Sequence, residues 1–134
     1  MAVRTIVEPE QAKEWARLAA QAADDKKATH TVILEVGPVL AITDYFMITT
    51  GANSRQVRTI ADEIELQLKE LVGLAPLRTE GRRDLSWVLI DYGSIVVHVF
   101  SAEMREFYDI ERLYRDVPSV TWEPTAPVRR PDAS

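Results

Sequence analysis

The chain carries two histidines, four tyrosines, three tryptophans and no cysteine. Lack of a thiol removes a cysteine nucleophile, a thiolate metal site and any disulfide. His30 and His98 have no ligand spacing such as His-x-x-x-His around them, so no metal site is expected. Gly51-Ala52-Asn53-Ser54 stands where a helix N-terminus would favour an anion, yet it lacks the full phosphate-loop pattern and its lysine. Ser54 has no Gly-x-Ser-x-Gly context for a nucleophile. Asp62, Glu63 and Glu65 read as the solvated face of a helix. Paired carboxylates on adjacent strand positions, which metal-dependent nucleotidyl transfer requires, are absent. Neither a catalytic constellation nor a cofactor is expected.

The residues that remain chemically notable sit on one predicted hairpin. Residues 87–91 and 95–100 are two β-rich runs joined through Tyr92-Gly93. If Asp91 pairs with Ser94, then Ile90 opposes Ile95 and Val88 opposes Val97 on one face. The other face sets Trp87 opposite His98 and Leu89 opposite Val96, with Asp91 and Phe100 in line. One face is wholly aliphatic and should be core. The other combines aromatic rings, a histidine and a carboxylate, which is the composition of a binding surface. Two readings of that face stand side by side: a partner surface, or a face covered by a helix with His98 semi-buried.

Elements must hold this hairpin in place. A helix is expected over 9–27, with Trp15, Leu18, Ala19 and Ala22 as its apolar stripe. Strands follow at 32–36, closed by Gly37-Pro38, and at 45–50, whose continuous apolar start places it inside a sheet. Asn53 and Gln56 suit a capping pair for a helix with its stripe at Val57, Ile60, Ala61, Ile64, Leu68 and Leu71, ended by Gly73. Residues 74–79, with Pro76, suit a short edge strand. After a polar loop and the hairpin, Ser101 caps a final helical stretch containing Phe107, Tyr108, Ile110, Leu113 and Tyr114. The order α-β-β-α-β-β-β-α predicts an α+β, layered fold: a mixed sheet of about five strands with helices packed on it. Residues 1–8 are expected to be a loose leader, 9–117 a single domain, and 118–134 a proline-rich disordered tail.

Charge and hydropathy narrow the function classes. Sixteen Lys and Arg against 21 Asp and Glu give a net charge of −5 over 134 residues. A phosphate-binding surface would leave a basic footprint, so direct sequence-specific nucleic-acid binding is not expected, and a basic partner suits the chain better. No apolar run approaches the roughly 20 residues that span a bilayer, and no signal-peptide core precedes the first charges. A cytoplasmic address and no membrane partner are the expectation. A free edge strand or an exposed aromatic patch would permit a homodimer.

Several segments together resemble the ribosomal silencing factor family, also called the Iojap family. They are Ile42-Thr43-Asp44-Tyr45-Phe46, Gly51-Ala52-Asn53-Ser54-Arg55-Gln56-Val57, Glu80-Gly81, Trp87-Val88-Leu89-Ile90-Asp91-Tyr92-Gly93, Val96-Val97-His98-Val99-Phe100 and Phe107-Tyr108-Asp109-Ile110-Glu111-Arg112-Leu113. The likeness covers about residues 10–117. Departures are Ala52 within the usual glycine-serine-asparagine stretch, Tyr114 where many relatives carry tryptophan, and the proline-rich tail. The resemblance implies a fold related to nucleotidyltransferases but without their catalytic carboxylates, and a protein that is not an enzyme. It further implies binding to the large ribosomal subunit at ribosomal protein fourteen, which blocks joining of the small subunit and lowers translation when nutrients are scarce. Trp87, Asp91, Tyr92, His98 and Phe100, with Tyr108 nearby, are the residues expected to make that contact. The alternatives are a small metal-dependent nucleotidyltransferase and a homodimeric scaffold unrelated to the ribosome.

Overall fold

The computed structural model describes residues 8–124. Its elements are α1 (Pro9–Asp25), β1 (Thr29–Glu35), β2 (Tyr45–Gly51), α2 (Ser54–Val72), β3 (Arg78–Glu80), β4 (Trp87–Asp91), β5 (Ile95–Ser101), α3 (Ala102–Tyr108) and α4 (Ile110–Leu113). The strands form one sheet in the order β1-β2-β5-β4-β3. β2 and β5 run parallel while the other neighbours are antiparallel, which is the mixed α+β sheet expected.

α1 and α2 cover one face. α1 stops at Asp25 rather than residue 27, because Lys27 turns into the left-handed region at φ 64°. Its buried side chains are mostly alanines, among them Ala12, Ala16, Ala19, Ala20 and Ala23, with Trp15 and Leu18 at the margin. Small side chains along that stripe let the helix settle close to α2 and the sheet. α2 starts as its capping residues dictate: Asn53 Oδ1 accepts from the Gln56 N–H at 2.9 Å. The Gln56 side chain then accepts from the Ala52 N–H at 2.6 Å and donates to the carbonyls of Lys26 and Lys27. One glutamine therefore ties the start of α2 to the end of α1. The stripe reaches the core only as far as Leu68. Leu71 is 46% exposed, because Gly73 at φ 67° ends the helix beyond the sheet.

Two assignments on α2 and β3 change. Glu63 is buried, not solvated, since its carboxylate accepts from Gln67 Nε2 at 2.8 Å on the face turned to α1, where Gln67 also donates to Asp25. Asp62 and Glu65 do face outward and pair with Arg82. β3 is shorter than the expected strand and lies after Pro76, whose missing N–H cannot join a ladder.

The hairpin register is shifted by one residue on each strand. Tyr92 pairs with Ile95 through its N–H at 2.9 Å, so Gly93-Ser94 forms the tight loop in place of Tyr92-Gly93. Gly93 takes φ 88° in the first loop position, which a tyrosine would resist. Trp87 consequently opposes Phe100, and His98 opposes Leu89. Moving both strands together keeps every residue on its original face. Val88, Ile90, Ile95 and Val97 are all fully buried against the helices, as the aliphatic face requires.

Residues 118–122 are part of the fold, which corrects the domain limit at 117. Glu35 N–H donates to the Pro118 carbonyl and Val120 N–H to the Ile33 carbonyl, both at 2.8 Å, with Leu34 opposite Ser119. Val120 and Trp122 pack on the helix-side core, and Trp122 Nε1–H reaches the Thr31 carbonyl at 3.2 Å. This strap closes the outer edge of β1, which would otherwise be an unpaired seven-residue template. Trp122→Ala should therefore lower stability by about 1–2 kcal/mol through lost packing and one lost hydrogen bond. Chemical denaturation checks this, and an unchanged midpoint would show that the strap adds nothing. The expected leader up to residue 7 and the tail from residue 125 lie outside the described residues.

Candidate functional site

The aromatic face of the hairpin is built by three strands and roofed by the C-terminal helices. Parallel pairing of β2 with β5 sets Ile48 opposite His98 and Phe46 opposite Val96. The β4 pairing adds Trp87 beside Phe100. Ser101 Oγ caps α3 by accepting from Met104 N–H at 3.2 Å, which turns the chain back over this face. Arg105 locks the turn: Nη1 donates to Thr50 Oγ1 at 2.7 Å and Nε to Glu111 at 2.7 Å. Ile110, Met104, Tyr114 and Val117 then close over Leu34, Val36, Ile48 and Phe100 to make a second core.

Within that core the rings are in continuous contact. Trp87 stacks on Phe100 with centroids 4.8 Å apart, and its Nε1–H donates to His98 Nδ1 at 3.1 Å. His98 meets Phe46 edge-on at 4.6 Å, and Phe46 meets Tyr114 at 5.4 Å. The bond from Trp87 leaves the His98 proton on Nε2, which is buried without a hydrogen-bond partner. Burial, and secondarily the charge of Arg105, lower the His98 pKa to about 4.

The six residues singled out from sequence thus separate into three positions. Trp87, His98, Phe100 and Tyr108 come together, but only Tyr108, at 46% exposure, is largely open to solvent; Trp87 is half-buried and His98 and Phe100 are buried. Asp91 serves the turn, accepting from Gly93 N–H at 2.8 Å and pairing with Arg78 at 3.2 Å. Tyr92 faces the helix-side core, where burial raises its hydroxyl pKa and leaves the hydroxyl without a partner. The covered-face reading of the sequence describes His98 and Phe100. Phe46 and Arg105 were not singled out. The continuous apolar run of β2 was the available signal for Phe46; Arg105 had none.

Outward from the ring stack lies the α3–α4 corner. Tyr108 packs on Trp87 at 4.9 Å and on Phe107 at 5.0 Å. Phe107 and Leu113 are 75% and 78% exposed and, with Tyr108, Arg112 and Arg115, line an open depression of about 590 Å³. Asp109 holds the corner in the left-handed conformation at φ 39° between the two helices. Rings anchored at one end in a rigid core and open at the other provide contact area with little ordering cost. Among the described residues no group of three or more His, Asp or Glu side chains is placed to hold a metal ion, and no helix is long and apolar enough to cross a membrane.

Comparison with known proteins gives one consistent family. The family model "Ribosomal silencing factor during starvation" matches residues 9–134. The ribosomal silencing factor RsfS of Halalkalibacterium halodurans is 40% identical over 111 residues, covering 83% of this chain and 94% of that protein. A crystal structure from Bacillus halodurans superposes with a TM-score of 0.71 at 38% identity, covering 81% of this chain and 98% of that one. More distantly, the mouse protein named "Mitochondrial assembly of ribosomal large subunit protein 1" is 29% identical, covering 66% of this chain and 40% of its own length. With a family model spanning nearly the whole sequence and a relative this similar along almost its entire length, the chain belongs to the ribosomal silencing factor family.

Proposed function

We propose that this protein represses translation by binding the large ribosomal subunit at ribosomal protein fourteen, where it sterically prevents the small subunit from joining, and that it does so when nutrients are limiting. The observation that carries the reading is the family match over residues 9–134. The name of the mouse relative, which refers to the large subunit, favours that partner over the small one. A chain of net charge −5 also suits a basic ribosomal surface. The protein acts by occupancy and not by catalysis, in the cytoplasm.

The contact is proposed to centre on Tyr108 and the exposed edge of Trp87, extended by Phe107 and Leu113. His98 and Phe100 hold these rings from beneath, while Asp91 and Tyr92 fix the hairpin turn. Purified protein should co-sediment with large subunits and not with small ones, and adding it should lower the yield of joined ribosomes. Equal binding to both subunits, or unchanged joining at saturating protein, would sink the proposal. Tyr108→Ala should weaken large-subunit binding by about tenfold or more, since truncating a central interface aromatic costs on the order of 2 kcal/mol. Its thermal midpoint should stay close to that of the parent, because the ring is half outside the core.

A further inference from the structure

The net charge of −5 is not spread evenly over the molecule. Residues 26–34 and 45–61 contain no Asp or Glu but carry Lys26, Lys27, Arg55 and Arg58. The fold brings these two stretches to one end of the sheet. Thr29 at the start of β1 pairs with Thr50 near the end of β2, and Gln56 Nε2 donates to the Lys26 and Lys27 carbonyls, each at 3.1 Å. All four cations are exposed. Ion pairs among the described residues use other cations: Lys13, Arg17, Arg78, Arg82 and Arg105. The nearest acids in sequence are engaged elsewhere, since Asp25 accepts from Gln21 and Gln67 and Asp62 pairs with Arg82. Acids gather at the far end of the sheet, where burial and then the charges of Glu35, Glu10 and Asp44 raise the Tyr45 pKa.

The basic end has the chemistry of a phosphate surface. Its other exposed residues include Thr29, Ala52, Asn53, Ser54 and Thr59, which are small or carry hydrogen-bonding groups, and none of the exposed large apolar side chains lies in either stretch. With no exposed aromatic ring for a base to stack on, such a surface would grip a nucleic-acid backbone without reading its sequence. Lys27 and His30 are both exposed and both held in the left-handed region, at φ 64° and 51°. Glycine would sit there without strain, and neither side chain makes a hydrogen bond or ion pair among the described residues. The aromatic corner flanks the same end from the opposite face of the sheet. Ser101, which caps α3, pairs with Gly51, and Tyr108 packs on Trp87 at the start of β4. A surface on which basic protein borders RNA would meet both regions at once.

We propose that Lys26, Lys27, Arg55 and Arg58 form a sequence-independent binding surface for an RNA backbone. Which RNA it meets rests on the function proposed above: that of the large subunit, beside the protein contact at Tyr108. The first probe is a naked RNA duplex of roughly 20 base pairs at about 50 mM salt, followed by fluorescence anisotropy. The parent should bind it, with an affinity that falls steeply as salt rises. The double variant Arg55→Gln, Arg58→Gln should bind about tenfold or more weakly, and its salt slope should drop by about 2, one for each lost phosphate contact. A second double variant, Lys13→Gln with Lys69→Gln, changes the net charge equally at the far ends of α1 and α2 and should match the parent. Against large subunits, the Arg55→Gln, Arg58→Gln variant should show the same fall in salt slope. Parent protein that ignores the duplex, equal weakening in the two double variants, or an unchanged slope on large subunits would overturn the surface. So would capture by phosphatidylglycerol vesicles without duplex binding, which would assign the charges to a membrane. Parent protein that binds the duplex as stated but ignores large subunits would overturn the function proposed above and leave the RNA surface standing.

Discussion

Phe100→Ala is expected to lower stability by about 3–5 kcal/mol, the range for removing a fully buried aromatic ring. Phe100 has no exposed surface, stacks on Trp87 at 4.8 Å and contributes to the core beneath the C-terminal helices. Its loss would open a cavity that β5, held between β2 and β4, cannot collapse to fill. A domain of this size is stable by about 5–15 kcal/mol, so the variant should unfold well below the parent in urea. Tyr108→Ala is the companion measurement, with little change in midpoint and a clear loss of large-subunit binding. A Phe100→Ala penalty under about 1 kcal/mol would mean that this face is not a true core. A matching stability loss in Tyr108→Ala would place the proposed contact residue inside it.

What could be read from the sequence was mainly what depends on local periodicity. The α2 start at Asn53 and its end at Gly73 follow from side-chain capping and a left-handed glycine, both encoded within a few residues. Hairpin faces survived a wrong choice of turn because moving both strands by one residue preserves side-chain alternation. The turn itself was legible in principle: a positive φ belongs on Gly93, not on Tyr92. Strap residues 118–122 were obscured by their prolines, although Val120 and Trp122 alternate as a strand requires.

The state of the aromatic face was not legible in this way. Rings with a histidine describe an interface and a small core equally well, and only long-range contacts separate them. Arg105 reaching Thr50, and Tyr114 reaching Phe46, are tertiary contacts without a local sequence signal. They close a roof over His98 and Phe100 and leave Tyr108 as the ring that joins the buried stack to the surface. The family likeness supplied the function class, while the split between holding and contacting residues came from burial.

Acidification should destabilise the protein through His98. The unfolded side chain gains a proton near its ordinary pKa of 6.5, whereas in the fold burial, followed by the Arg105 charge, lowers the value to about 4. Protonation would also set a second donor against the Trp87 Nε1–H that now points at Nδ1. The sign follows from proton uptake. Above pH 6.5 both states are neutral and this residue imposes no pH dependence. Between about 6.5 and 4 the unfolded state binds the extra proton, and stability falls by up to about 1.4 kcal/mol per pH unit, roughly 3 kcal/mol in all. Below about 4 the slope from this residue vanishes. His98→Phe removes the titration while keeping a ring against Phe46, at a pH-independent cost of about 1 kcal/mol for the lost Trp87 acceptor. Urea unfolding of both proteins at pH 7.5 and 4.5 isolates the effect, because the carboxylates common to both titrate alike and cancel. The parent should start as the more stable protein and lose that lead, or fall behind, in acid. Parallel pH profiles would show that His98 accepts a proton as readily in the fold as outside it, and that the roof of α3 and α4 does not seal this face from water.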